Sequence, residues 1–190
     1  TYTTQHPPVW GSMVSGYLVT KAIAAGVMLM ASLLVLMGHG DEQSVVGIVP
    51  PVVAGVFLVA TGVLLVGDLK QPKRFWYLVT KGNSTSWLVK GAWVLGAFAV
   101  CLAAWWVAGL ADAGGALPVL VVPIVLLALG TAGYTAFLFG QCEGRDLWQE
   151  PLLLPVLLAQ AVMAGGASWS LLDQFLDVPS HGSVKWVFLA

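Results

Sequence analysis

Five long apolar stretches, each long enough to cross a bilayer as a helix, constrain this chain more than any other feature. They run from Val14 to Met37, Val45 to Val66, Trp87 to Leu110, Leu117 to Gly140 and Leu152 to Leu172. About 20 apolar residues suffice to span hydrocarbon at a rise of 1.5 Å per residue. Inside a membrane each backbone N–H and C=O must be bonded within its own segment or a closed barrel, and these runs are far too long for barrel strands. The expected fold is therefore an all-α membrane protein, an antiparallel bundle of about five transmembrane helices forming one domain over residues 1–190. Polar turns at His39-Gly40-Asp41-Glu42-Gln43 and Asp112-Ala113-Gly114-Gly115 separate the runs on one side. Pro50-Pro51 is expected to kink the second helix or delay its start, and Ser86 to cap the third. Gly91, Gly96, Gly130, Gly133 and the pair Gly165-Gly166 are small residues suited to close helix packing. The segment from Asp173 onward is amphipathic at best, with Val184 to Ala190 opening a further helix.

Composition agrees and excludes several functions. The chain is 58% hydrophobic and 9% charged, with a net charge of −1, far from the quarter or so of charged residues in a soluble domain. It has no basic stripe interleaved with aromatics, so nucleic acid is not an expected partner. Cys101 and Cys142 make no metal-ligand spacing and carry no hypothesis. His6, His39 and His181 fall outside the apolar runs, whereas an axially ligated haem needs ring nitrogens projecting from helices into a bundle, so neither haem nor metal is expected. No signal peptide is recognisable.

The charge is concentrated. Gly67-Asp68-Leu69-Lys70-Gln71-Pro72-Lys73-Arg74-Phe75-Trp76 holds four of the charged residues of a chain with eight Lys and Arg and nine Asp and Glu. A loop so charged in so apolar a chain reads as a contact surface or a site. Its alternative is a solvated loop obeying the charge rules of membrane topology. Alternating helices place the amino terminus, the 67–86 loop and the 141–151 loop on one face. That face carries Lys70, Lys73, Arg74, Lys81 and Arg145, so it is expected to be cytoplasmic.

An ionisable group inside a transmembrane helix is costly and tends to mark function. Lys21 is the clearest case, about 10 Å inside the first helix, with Tyr17 one turn above it on the same side. Tyr134 and Thr135 lie at matching depth on the fourth helix, and Asp68 ends the second helix on the same face. Tyr17, Lys21, Asp68 and Tyr134 are therefore expected to form one polar cluster, with Asp68 as the counter-charge to Lys21. The competing reading is a Lys21 that snorkels toward head groups. A dry cluster opening to an aqueous face suits the head group of a quinone whose tail lies in lipid. Lys70, Lys73, Arg74, Phe75 and Trp76, combining steering charge with aromatic anchors, are expected to dock a partner.

The charged segment resembles the Asp-Leu-Gly-Arg-Pro-x-Arg-Phe loop of the NrfD/polysulfide reductase membrane-subunit family. Further pieces are similar in order: Tyr17-Leu18 through Ala24-Ala25-Gly26, Ser86 through Gly91-Ala92-Trp93, Tyr134-Thr135-Ala136-Phe137-Leu138, and Gly144-Arg145-Asp146-Leu147-Trp148-Gln149-Glu150-Pro151-Leu152-Leu153-Leu154-Pro155. Lys70-Gln71 departs from the usual Gly-Arg. The resemblance implies a prokaryotic inner-membrane subunit whose first four helices form the quinone-binding bundle. Quinone or menaquinone would be its exchangeable substrate, with no prosthetic group of its own. It also implies a ferredoxin-like iron–sulfur partner, with a molybdopterin oxidoreductase or multihaem cytochrome beyond, and a longer protein of which this chain is an excerpt. Tyr17 falls where some members carry a polar ring residue near the quinone, and Asp68 matches the loop aspartate. A purely structural anchor for a peripheral redox complex and a small transporter bundle are the rival readings. Broken helices in two matching halves would mark the transporter, and only the second run, with Pro50-Pro51, is interrupted.

Overall fold

The computed structural model describes residues 11–40, 43–69, 77, 80–83, 85–141 and 150–175. Within them lie five long helices and no strand. They are α1 (Ser12–Leu34), α2 (Val49–Gly67), α3 (Trp87–Leu110), α4 (Leu117–Gly140) and α5 (Leu153–Leu172). All five are long and apolar enough to cross a membrane. α3, α4 and α5 start and end within one residue of the expected runs, because the hydrocarbon thickness dictates the length of apolar run needed, whereas α1 ends three residues before Met37 and α2 starts four residues after Val45. Residues 70–76, 142–149 and 176–190, which include most of the charged loop, Cys142 and the expected further helix, lie outside the described residues.

Helix ends follow local chemistry. A π-helical turn, Val35–His39, ends α1, and Gly38 adopts φ 93° there, a backbone conformation that a side chain disfavours. Pro50 and Pro51 occupy the first turn of α2, where their missing N–H groups cost nothing, so they delay the helix rather than kink it. At the end of α3 the N–H of Ala113 bonds Ala108 O at 3.0 Å and that of Asp112 bonds Gly109 O at 3.4 Å. Asp112 takes the left-handed position with φ 51°, a role that Asp tolerates better than most residues. Ser86 stands at the N-cap of α3 but makes no side-chain cap bond. Its backbone carbonyl receives Lys90 N at 3.1 Å instead.

α1 is the central helix, with 67% of its most apolar window buried against 28–44% for the others. It packs against α2, α4 and α5, and α3 packs against α4. On α2 the stripe Ala54, Leu58, Thr61 and Leu65 is buried, while Val52, Val56, Val59 and Val63 face outward. Both faces are apolar, and the inner one is distinguished by small and polar members, as expected where lipid rather than water is the solvent.

The closest approach is α1 to α5. A Cβ built on Gly26 would sit 2.0 Å from Ala161 O, and one on Gly165 would sit 2.4 Å from Gly26 C, so backbone meets backbone. Trp169 of α5 donates its indole N–H to Val27 O at 3.0 Å across the same contact. Trp105 of α3 does likewise to Val46 O at 3.0 Å in the turn before α2. Gly96, expected at a helix contact, instead has nothing within 4 Å of its would-be Cβ.

Candidate functional site

Lys21 is built into the centre of the bundle by its neighbours. It lies on α1 between two apolar clusters. Val14, Tyr17, Leu65 and Phe139 close the loop-face end, and the main core begins at Ala22 and Ala132. Only 1% of the residue is exposed, so it does not snorkel. Its Nζ donates to Ala132 O at 2.9 Å and bonds the Thr135 hydroxyl, both on α4. It also stands 4.9 Å from the centroid of the Tyr134 ring.

These contacts account for a cation in a dry place. Bringing an ammonium out of water costs several kcal/mol even after relaxation. Two hydrogen bonds from a charged donor return about 1.5–3 kcal/mol each, and a desolvated cation–π contact about 2 kcal/mol. Among the described residues the ammonium has no carboxylate partner; a backbone carbonyl, a hydroxyl and an aromatic face take that place.

Tyr134 is 3% exposed, and its hydroxyl is buried with no hydrogen-bond partner among the described residues. Its ring is seated by Gly91 of α3. A Cβ there would come within 2.4 Å of Tyr134 Cε2 and 2.5 Å of Cδ2. Gly91→Ala is therefore expected to lower stability by about 1–3 kcal/mol, the usual cost of overpacking. Thermal unfolding in detergent measures this, and the same Gly91→Ala change made in a Tyr134→Leu background should cost much less than in the native chain, because the ring that clashes is already gone. An equal cost in both backgrounds would mean that the glycine is needed for a contact other than the ring.

Tyr17, 2% exposed, is one turn from Lys21 toward the loop face. Asp68 is exposed at the C-terminal end of α2, with its N–H bonded to Leu64 O at 3.0 Å. The structure thus brings Tyr17, Lys21 and Tyr134 into one half of the bundle and leaves Asp68 exposed at the C-terminal end of α2. Lys70, Lys73, Arg74, Phe75 and Trp76 lie outside the described residues.

Of the two groups that hold Lys21, Thr135 is placed by the sequence at the matching depth but with no role beside Tyr134, although Thr131 to Thr135 form an unbroken buried run. The Ala132 carbonyl carried no side-chain signal at all. A second polar contact also went unread, the pair Thr20 and Thr61 with hydroxyl oxygens 2.8 Å apart between α1 and α2.

Among the described residues no three His, Cys, Asp or Glu side chains gather as a metal-binding group. What the site offers is hydrogen-bonding capacity in an apolar surround: an amine held on two acceptors and two buried phenols. A family model described as "Polysulphide reductase, NrfD" matches residues 2–178. No curated protein and no solved structure matches the chain.

Proposed function

The chain belongs to the polysulphide reductase NrfD family of membrane proteins, and from that premise we propose that it binds a quinone at Lys21 and exchanges electrons with a docked iron–sulfur subunit of a larger oxidoreductase. The observation that carries this reading is the amine of Lys21, buried in a membrane span and held on Ala132 and Thr135 beside the unpartnered hydroxyl of Tyr134. A buried polar group without a partner is costly. A quinone oxygen is an acceptor that answers the free phenol, and the amine, with donors of its own, stands 4.9 Å from the centre of the same ring.

When a quinol is oxidised, two O–H bonds break, two electrons pass to the iron–sulfur partner, and two protons leave. In this reading Lys21 and Tyr134 hold the head-group oxygens, and Tyr17 lies between them and Asp68, which takes up a proton at the loop face. The same groups serve reduction in reverse. The basic and aromatic residues Lys70, Lys73, Arg74, Phe75 and Trp76 dock the partner close to that exit. A molybdopterin oxidoreductase or a multihaem cytochrome stands beyond it, in the inner membrane of a prokaryote with the loop face cytoplasmic.

The test is a purification of the intact complex with assay of both its subunits and its extracted quinone. Quinone should co-purify with the native complex and vanish in Lys21→Met while the iron–sulfur subunit stays bound. Asp68→Asn should keep the quinone and lose turnover, and Lys73→Glu with Arg74→Glu should release the partner. A complex that assembles with undiminished quinone after Lys21→Met would leave a structural anchor as the better reading.

A further inference from the structure

The bundle has a lateral groove that the head-group site does not use. It lies between α3, α4 and α5, encloses about 290 Å³, and is lined by Trp87, Val94, Gly130, Tyr134, Phe137 and Leu158 among others. We propose that this groove takes the isoprenoid tail of the quinone, which enters sideways from the lipid and passes Tyr134 to reach Lys21. The proposal rests on the head-group reading above and adds the route and the side of the bundle.

Four observations converge on it. Tyr134 is the shared wall: the ring that lies 4.9 Å from Lys21 Nζ also lines the groove. Its hydroxyl, buried and without a hydrogen-bond partner among the described residues, marks the junction as a place where a polar atom is due. The volume of about 290 Å³ lies just below the roughly 300–1,000 Å³ of small-molecule sites, and the walls are apolar, so a length of hydrocarbon can rest there while nothing in the walls would retain a polar head. The groove reaches the bundle surface, because Phe137 and Leu129 on its rim are 44% and 38% exposed.

Local chemistry keeps it open on one side and closed on another. Gly130 and Gly133, three residues apart on α4, let neighbouring side chains close in as the groove wall: a Cβ on Gly130 would meet a Val94 methyl at 3.2 Å and one on Gly133 a Leu154 methyl at 2.7 Å. Trp87 and Phe137 stack at 4.4 Å with their planes 15° apart, and Lys90 Nζ stands 4.5 Å over the Trp87 ring. Both aromatics belong to the loop-face ends of α3 and α4, so the stack walls the groove off from that face and the tail leaves toward lipid.

An acyl chain of bulk lipid would also fill such a groove, but its presence would be independent of substrate. The distinguishing experiment uses the full complex carrying Gly130→Leu, where the nearest obstacle to a Cβ is a Val94 methyl at 3.2 Å. A second variant, Leu158→Phe, fills the groove from α5 and leaves the α4 backbone untouched. Each is assayed with a long-tailed quinol and with a tail-less quinol of the same head group, and thermal midpoints are read alongside. The expected result is a rise in KM of about tenfold for the long-tailed quinol, as when a few buried methylene groups lose their contact, with the tail-less quinol unchanged. Equal losses for both substrates, or no loss for either, would overturn the proposal. The head-group reading fails separately, if Lys21→Met turns over both quinols normally.

Discussion

Lys21→Met is expected to lower quinol turnover by about 10²–10³-fold, the range associated with loss of one positioned hydrogen-bond donor to a reacting oxygen, while leaving the bundle as stable as before or more so. Two facts drive the pair of outcomes apart. The amine is 1% exposed and is held by one carbonyl, one hydroxyl and one ring, so nothing charged is orphaned when it goes. Thr135 can turn its hydroxyl to a carbonyl one helical turn back on α4, a bond that Thr61 makes to Phe57 O at 2.8 Å on α2. Methionine fills nearly the same space without a desolvation cost, and replacement of buried ionic groups by apolar ones of similar volume is often neutral or stabilising. Steady-state kinetics and thermal unfolding of the same preparation measure both. A variant that loses stability as much as activity would make Lys21 a structural residue, since a group kept for function should be removable without harm to the fold.

The second large effect belongs to the scaffold. Gly26→Ala is expected to cost about 3 kcal/mol or more, at or beyond the upper end of ordinary overpacking, because its methyl would sit 2.0 Å from Ala161 O and 2.6 Å from Gly165 N. Those are backbone atoms, and no rotamer change moves them away. α1 and α5 must separate, and the Trp169 to Val27 bond across the contact goes with them. At a few degrees per kcal/mol the thermal midpoint should fall by roughly 6–12 °C. Gly96→Ala is the control. Nothing lies within 4 Å of its would-be Cβ, so it should leave the midpoint unchanged or raise it slightly, as expected from the better helix propensity of alanine. Equal effects at the two positions would show that the α1–α5 approach is not what holds the bundle.

The site was half legible for an identifiable reason. A lysine in an apolar run is a signal by its cost alone, and depth can be counted at 1.5 Å per residue from the helix ends. That arithmetic paired Lys21 with the Tyr134–Thr135 level of an antiparallel partner, and the structure joins them there. It could not say whether the phenol or the hydroxyl of Thr135 would take the amine. Those two side chains differ by about 100° around α4, and depth carries no information about rotation. Asp68 as counter-charge was inferred from its being the acidic residue at the right end. It is exposed at the end of α2, while Lys21 finds its bonding partners on α4.

The glycines make the same point about the scaffold. Gly96 and Gly165 look alike in sequence, yet one faces open space and the other touches a neighbouring backbone. What the sequence by itself determined is what a slab of hydrocarbon enforces: among the described residues, five helices long and apolar enough to cross it, with their lengths and their order along the chain. What only the tertiary structure decided is the rotation of each helix about its axis, and with it the partners of Lys21, the seat of Tyr134 against Gly91 and the groove beside it. In water an apolar stripe reveals which side of a helix turns inward. In lipid both sides are equally well solvated, so the inward side is chosen by close packing of small residues and a few buried hydrogen bonds between helices, which are properties of pairs of helices and not of any one.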